Sequence, residues 1–320
     1  MYTKAANLKE IEKKFEVHDF PLVLICEASN YCNLRCTMCS HKDMKRPKGK
    51  MSISLYKKII DEASMENPYT RLWLAWSGEP LIEGWRLYYM ITYAKKKGIK
   101  SVNINTNGQL LTDDMAEMLI DSGIDNVHID IDAFSKTVYE KIRVGGDRDK
   151  LYANIENFLK KLEIVKGNKP KVNLKVIEMD INRNEVEQVL EYWKKYNVTF
   201  EITEAHTWAG KIKESINIQR DRIACCYCIG HMAIAWDGRC AACSPDTEIV
   251  NETGNINIST IKEVWKYRID NYIMKHINHN WDALPELCKN CTDWMHIGTE
   301  NRFYSSGGEY VRKYGDRETY

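Results

Sequence analysis

The residues best equipped for chemistry are thiols. Of eleven cysteines, three stand close together in YCNLRCTMCSHK, as Cys32, Cys36 and Cys39. After a long cysteine-free middle come Cys225, Cys226, Cys228, Cys240 and Cys243, and then Cys288 and Cys291 in CKNC. Cys26 stands alone in the apolar run FPLVLICEAS and reads as a small core residue of a strand. The opening MYTKAANLKEIEKKF lacks the apolar stretch of a signal peptide, and no window is apolar enough to span a bilayer. The expectation is a cytoplasmic chain with no membrane partner. In a reducing compartment, spaced cysteines indicate metal or catalysis rather than disulfides. Three thiolates on one tight loop suit zinc or an iron–sulfur cluster. Zinc would want a fourth ligand nearby, for which His41 is the local candidate. Three ligands on a four-iron cluster leave one iron open to a small molecule.

Regular elements must hold these thiols in place. Strand-like runs LVLICEAS, TRLWLAWSG, SVNINTNG, NVHIDID, KVNLKVIEMD and VTFEITEA alternate with helical runs such as SLYKKIIDEASM and EGWRLYYMITYAKKKG. Thr112 is placed to cap TDDMAEMLIDSG and Gly123 to stop it. Such alternation implies an α/β fold with parallel strands joined by right-handed crossovers. Periodicity alone does not choose between a doubly wound sheet and an incomplete barrel. Either one gathers function at the carboxyl ends of the strands. The cysteine triplet follows the first strand, SGEP the second and NTNG the third.

Past about Gly210 the alternation stops. MAIAWDGRCAAC reads as a hairpin turning at Asp237-Gly238, STIKEVWKYRID as a helix, and CKNC follows. Metal usually staples so small a cysteine-rich region. The expected organisation is an N-terminal helical extension (1–20), an α/β domain (21–210), a cysteine-rich domain (211–300) and a C-terminal tail (301–320), mobile from Gly307 on. Composition is 44% hydrophobic and 28% charged with a net charge of +1, which gives no reason to invoke nucleic acid. Trp73, Trp76, Trp85, Trp193 and Trp265 read as core, whereas His206 and Trp208 close the last strand within reach of a substrate.

The spacing Cys32-x3-Cys36-x2-Cys39 at the end of the first strand resembles the radical S-adenosylmethionine (SAM) superfamily. The resemblance implies a partial (β/α)6 TIM-like barrel. It also implies a [4Fe–4S] cluster on the three cysteines and SAM on the fourth iron. One electron would cleave SAM to methionine and a 5′-deoxyadenosyl radical, which abstracts hydrogen from a small-molecule substrate. A reducing partner such as flavodoxin or ferredoxin is implied with it. SGEP (Ser77, Gly78, Glu79, Pro80) resembles the motif that receives SAM's amino group, and NTNG places Asn105 and Asn107 beside the ribose or carboxylate. Asp130 and Asp132 match a further motif strand, where they serve the ribose, the substrate or a helix cap. Met38 stands where relatives carry an aromatic residue near adenine.

The second group resembles the SPASM/Twitch extension, which implies an auxiliary [4Fe–4S] cluster. Cys225, Cys243, Cys288 and Cys291 are its expected ligands, with Cys226 or Cys228 as substitutes for Cys225. A four-cysteine zinc ribbon is the alternative. Of the cysteines left over, Cys226, Cys228 and Cys240, one could donate a hydrogen atom to a substrate radical. Glu178 and Asp180, at a strand end, are candidate bases. Epimerisation of a carbohydrate-like molecule is the expected reaction. Its alternatives are dehydrogenation of a sugar or cyclitol alcohol, with the auxiliary cluster as electron acceptor, and modification of a ribosomal peptide. A non-enzymatic iron–sulfur electron carrier is the fourth.

Overall fold

The computed structural model describes residues 12–196, 198–212, 221–296, 300–305 and 308–313. Six strands pair in parallel and in chain order: β1 (Val23–Cys26), β2 (Arg71–Trp73), β3 (Ser101–Thr106), β4 (Asn126–Asp130), β5 (Lys171–Glu178) and β6 (Thr199–Glu204). The crossovers contain α1 (Ile53–Glu66), α2 (Trp85–Lys96), α3 (Asp113–Asp121), α4 (Lys136–Ile142), α5 (Arg148–Ile164) and α6 (Val186–Trp193). Side chains of Ser52, Thr112, Ser135 and Asp147 accept first-turn amides of α1, α3, α4 and α5, which fixes where those helices start.

Burial along the strands decides between the two α/β architectures. On one face Val102, Ile104, Val127, Ile129, Leu174 and Val176 are 0% exposed. On the other, Asn105, His128, Asp130, Asn173, Lys175, Glu201 and Thr203 are only half-buried. A doubly wound sheet would cover both faces with helices and make both apolar. Here the helices cover one face, and the polar face lines the lumen of an open, partial barrel.

A short helix α7 (Cys226–Ile229) leads into β7 (His231–Ile234), which pairs in parallel with β1. β8 (Arg239–Ala241) and β9 (Glu252–Asn255) extend the sheet antiparallel, with Gly238 in the left-handed region at the β7–β8 turn (φ +89°). The cysteine-rich segment is thus hydrogen-bonded to the barrel sheet. Helix α8 (Ile261–Arg268) starts on a Thr260/Glu263 capping box and continues through a π turn to Ile277, and α9 (Glu286–Asn290) carries Cys288.

Two expectations differ from what is observed. β10 (Glu300–Ser305) and β11 (Gly308–Lys313), the latter within the stretch read as mobile, form a hairpin, and β10 occupies the free edge of β6. An open edge presents unpaired amides and carbonyls, which a hairpin can satisfy. Trp85 is not core: it opens α2 and is 71% exposed, whereas Trp193 and Trp265 are fully buried. Most of the expected N-terminal helical extension lies outside the described residues.

Candidate functional site

The loop after β1 carries Cys36, which is buried, and Cys32 and Cys39, which are half-buried. Its backbone is latched to the end of α4, with Arg35 N–H donating to Val144 O and Thr37 N–H to Ile142 O (both 2.9 Å). Cys36 lies close enough to raise the pKa of Cys32, and both raise that of Cys39. Burial is the largest cause at each, and it pushes Cys39 up to about 11. Thiols held in this way stay neutral unless a cation joins them. His41 Nε2 lies 2.9 Å from Asn30 O and 2.6 Å from Lys48 Nζ, while its buried Nδ1 has no hydrogen-bond partner.

SGEP abuts this loop. Glu79 N–H donates to Tyr31 O (2.8 Å), the carbonyl just before Cys32. A Cβ on Gly78 would stand 2.4 Å from Ser29 O, so only glycine permits the approach. The Glu79 carboxylate is 2% exposed and accepts from Thr106 Oγ1 (2.7 Å), Asn107 N (2.8 Å) and Leu81 N (3.0 Å). Burial nevertheless raises its pKa to about 7, against those hydrogen bonds. No lysine or arginine among the described residues pairs with it. Asn107 Nδ2 donates to Asn33 Oδ1 (2.9 Å), which ties NTNG to the cysteine loop as well. Pro80 opens a 3-10 turn capped by Glu79, and Ser77 Oγ lies 3.5 Å from Arg46. Asn105 faces the lumen with an unpartnered Oδ1.

Arg143 was not singled out in the sequence. Its guanidinium pairs with Asp132 (2.5 Å) and Asp130 (3.1 Å) and lies 3.6 Å from Cys36 Sγ. Asp132 is fully buried in the left-handed region (φ +43°), and its other oxygen accepts Ile177 N–H (2.8 Å). Its carboxylate is thus committed to internal partners, while Asp130 stays half-exposed at the strand end. Nothing in the spacing links Arg143 to a cysteine 107 residues away. Of the candidate bases, Glu178 ends β5 in an ion pair with Arg183 (3.0 Å), and Asp180 pairs with the same arginine on the surface.

The later cysteines form a second site. Cys225, Cys228, Cys243, Cys288 and Cys291 line one cavity with about 380 Å³ of atom-free space, part of it open to solvent. Burial raises the pKa of all five, and that of Cys288 and Cys291 to about 12. Five thiols on one cavity fit a metal centre, either zinc or an iron–sulfur cluster. His276 adds to that fit: it is 2% exposed, lines the same cavity, and neither ring nitrogen has a hydrogen-bond partner. Two orphaned nitrogens in a thiol-lined cavity call for an occupant that can accept or bind them.

Cys26 and Cys240 face away from the lumen. β1, β7 and β8 align Cys26, Ile234 and Cys240 in one row on the helix-covered face. The opposite face of β7 and β8 carries Ala233 and Ala241, packed near Ile25 and Trp76. Cys226 packs with Ile223, Tyr227 and Trp294. Met38 is buried, and its carbonyl accepts the Trp208 indole N–H (2.8 Å). No helix among the described residues is long and apolar enough to cross a membrane.

Residues 26–168 match the family model of the radical SAM superfamily. A tungsten-containing aldehyde ferredoxin oxidoreductase cofactor-modifying protein from Pyrococcus furiosus is 29% identical over 170 residues, 53% of this chain and 47% of the relative. A probable GTP 3′,8-cyclase from Methanococcus maripaludis is 32% identical over 175 residues, 54% of this chain and 55% of the relative. The chain thus spans about half the length of these curated relatives. Among solved structures, BtrN in complex with AdoMet and 2-DOIA superposes with a TM-score of 0.59 at 18% identity, covering 84% of this chain and 92% of that one. The anSMEcpe structure with bound AdoMet gives 0.62 at 18% identity, covering 86% and 91%. At that identity the likeness speaks to the fold, which is the radical SAM partial barrel.

Proposed function

We propose, from the match of residues 26–168 to the radical SAM superfamily, an enzyme that holds a [4Fe–4S] cluster on Cys32, Cys36 and Cys39 and binds SAM beside it. A second cluster would rest on Cys225, Cys243, Cys288 and Cys291. When bound, the first cluster and SAM supply a 5′-deoxyadenosyl radical that takes hydrogen from carbon, and the second supplies an electron acceptor.

The observation that carries this reading is Glu79. It is a carboxylate buried beside the thiol loop, supplied with three donors yet lacking a cation. SAM's amino group, held on the open iron, would direct its N–H donors at this carboxylate. Ser77, Gly78 and Pro80 shape the turn that presents it. Asn105, Asn107 and Asp130 are assigned to ribose and carboxylate, and Met38 to adenine. Asp132 acts through Arg143 as a positioning residue. The electron source would be a small redox protein such as flavodoxin or ferredoxin.

The polar lumen supports a hydrogen-bonding, carbohydrate-like substrate. The placement of the spare thiols bears on the reaction. Epimerisation needs a hydrogen donor at the lumen, whereas Cys228 lines the second cavity, Cys240 lies on the helix-covered face, and Cys226 packs among Ile223, Tyr227 and Trp294. Oxidation of an alcohol carbon needs none: the substrate loses one hydrogen atom from carbon, one proton from oxygen and one electron. Glu178, at the end of β5, is the candidate base. We therefore favour dehydrogenation over epimerisation.

The test is anaerobic reduction of the iron-loaded protein with SAM. 5′-Deoxyadenosine should form in the native chain and not in the Cys32→Ala/Cys36→Ala/Cys39→Ala variant. Cleavage retained by that variant would overturn the assignment. Turnover in deuterated water then separates the reactions. A product two hydrogens lighter, without deuterium, means oxidation, and one solvent deuterium at the changed carbon means epimerisation.

A further inference from the structure

A turn joins the two cysteine sites. After β6 the chain reads HTWAG, and three successive residues adopt positive φ: Trp208 (+52°), Ala209 (+57°) and Gly210 (+86°). For tryptophan and alanine that conformation is unfavourable by roughly 1–2 kcal/mol each, so it persists only where something holds it. The holder is Asp293, which is 0% exposed. One carboxylate oxygen accepts Thr207 N–H and Thr207 Oγ1–H, and the other accepts Ala209 N–H, all at 2.7 Å. Asp293 sits two residues after Cys291, and its own N–H points at Cys291 Sγ (3.4 Å).

The two strained residues face different sites. Ala209 lines the second thiol cavity. Trp208 reaches the other way, and its indole N–H donates to Met38 O, between Cys36 and Cys39. The Cys243 side of the second site grips the same region. Ser244 O accepts Trp76 Nε1–H (2.7 Å), just before SGEP, and Thr247 Oγ1 meets Ser40 Oγ (3.0 Å), just after Cys39. Glu248 accepts Lys45 N–H and Arg46 N–H (3.0 and 3.1 Å). Both ends of the second site thus brace the loop of the first.

We propose that Asp293 and Trp208 form a clamp through which the second cysteine site sets the geometry of the Cys32–Cys39 loop, and with it the affinity for SAM. The clamp rests on the function proposed above, since it presupposes SAM at the triad. Asp293 and Trp208 are positioning residues and touch neither substrate nor SAM in this account. In Asp293→Asn an amide nitrogen must face one of the donors, so one side of the turn loses its acceptor. In Trp208→Phe the ring remains but the N–H to Met38 is gone.

The experiment uses full-length, iron-loaded protein. Iron content, SAM dissociation constant by equilibrium dialysis, and the EPR spectrum of the reduced protein with and without SAM are measured. Asp293→Asn and Trp208→Phe should each keep native iron content and weaken SAM binding on the order of tenfold, which is ~1.4 kcal/mol. Each should also shrink the spectral change that SAM induces. The double variant should be little worse than either single one, because both cut one path. Thr207→Ser, which keeps the hydroxyl and the N–H, should behave as the native chain. Native SAM affinity and native spectra in Trp208→Phe overturn the clamp, and that variant decides the matter if Asp293→Asn misfolds. Equal, fully additive losses in the double variant also overturn it. Absence of SAM binding by the native protein would instead defeat the function on which the clamp rests.

Discussion

Replacing Glu79 by glutamine removes the charge from a carboxylate that is 2% exposed while keeping its shape. In the folded chain burial raises its pKa from 4.5 to about 7. The folded state therefore holds this proton more tightly than the unfolded chain does. Below pH 4.5 both states are protonated and the group has no net effect. As pH rises from there to about 7 the unfolded chain ionises first, and stability falls. At ~1.4 kcal/mol per unit the loss amounts to about 3 kcal/mol, complete above the folded pKa. Glutamine cannot ionise, so Glu79→Gln should lack this fall, although its amide nitrogen must face one of the donors Thr106, Leu81 and Asn107 and so lowers stability by an amount that does not change with pH. Urea-unfolding midpoints of the two proteins at about pH 5 and about pH 8 measure the difference. Added SAM should stabilise the native protein more than the variant, because a carboxylate accepts from SAM's amino N–H more strongly than an amide oxygen does. Parallel pH profiles for the two chains, or equal stabilisation by SAM, would refute the reasoning.

Arg143→Met should be among the most damaging single changes. It strands Asp132 and Asp130 without their cation, at a cost of about 3–5 kcal/mol, read as a fall in the urea midpoint. Cys240→Ala should cost only on the order of 1 kcal/mol and leave product formation and its isotope pattern unchanged, since Cys240 lies in the row with Cys26 on the helix-covered face. His276→Phe should make the metal-free chain more stable by about 1–3 kcal/mol, because it removes two unpartnered buried nitrogens. The same variant should retain less iron at the second site, by elemental analysis.

Much of this architecture was legible in the sequence because it rests on local patterns. Alternating apolar residues marked β3 to β6, Thr112 marked a helix start, and Asp237-Gly238 marked the β7–β8 turn. Motif spacing set the triplet, SGEP and NTNG at successive strand ends, where the fold brings them into hydrogen-bond contact. What stayed hidden depends on contacts across the fold. The face taken by Cys240 follows from its register against Ile234 and Cys26, which periodicity within one strand does not reveal. Arg143 matters because α4 returns to the cysteine loop, and Asp293 because a carboxylate near Cys291 meets a turn some 85 residues earlier. Barrel or doubly wound sheet was undecided until burial showed which strand face the helices leave open.

The proposed Cys32–Cys36–Cys39 cluster should leave one iron for SAM. Electron-nuclear double resonance of the reduced protein, with SAM labelled by ¹⁵N at its amino group, tests this at the bond in question. A resolved ¹⁵N coupling that survives Cys288→Ala/Cys291→Ala and disappears in Cys32→Ala/Cys36→Ala/Cys39→Ala is the predicted result. A reduced cluster on the native triad that shows no such coupling with SAM bound would contradict it.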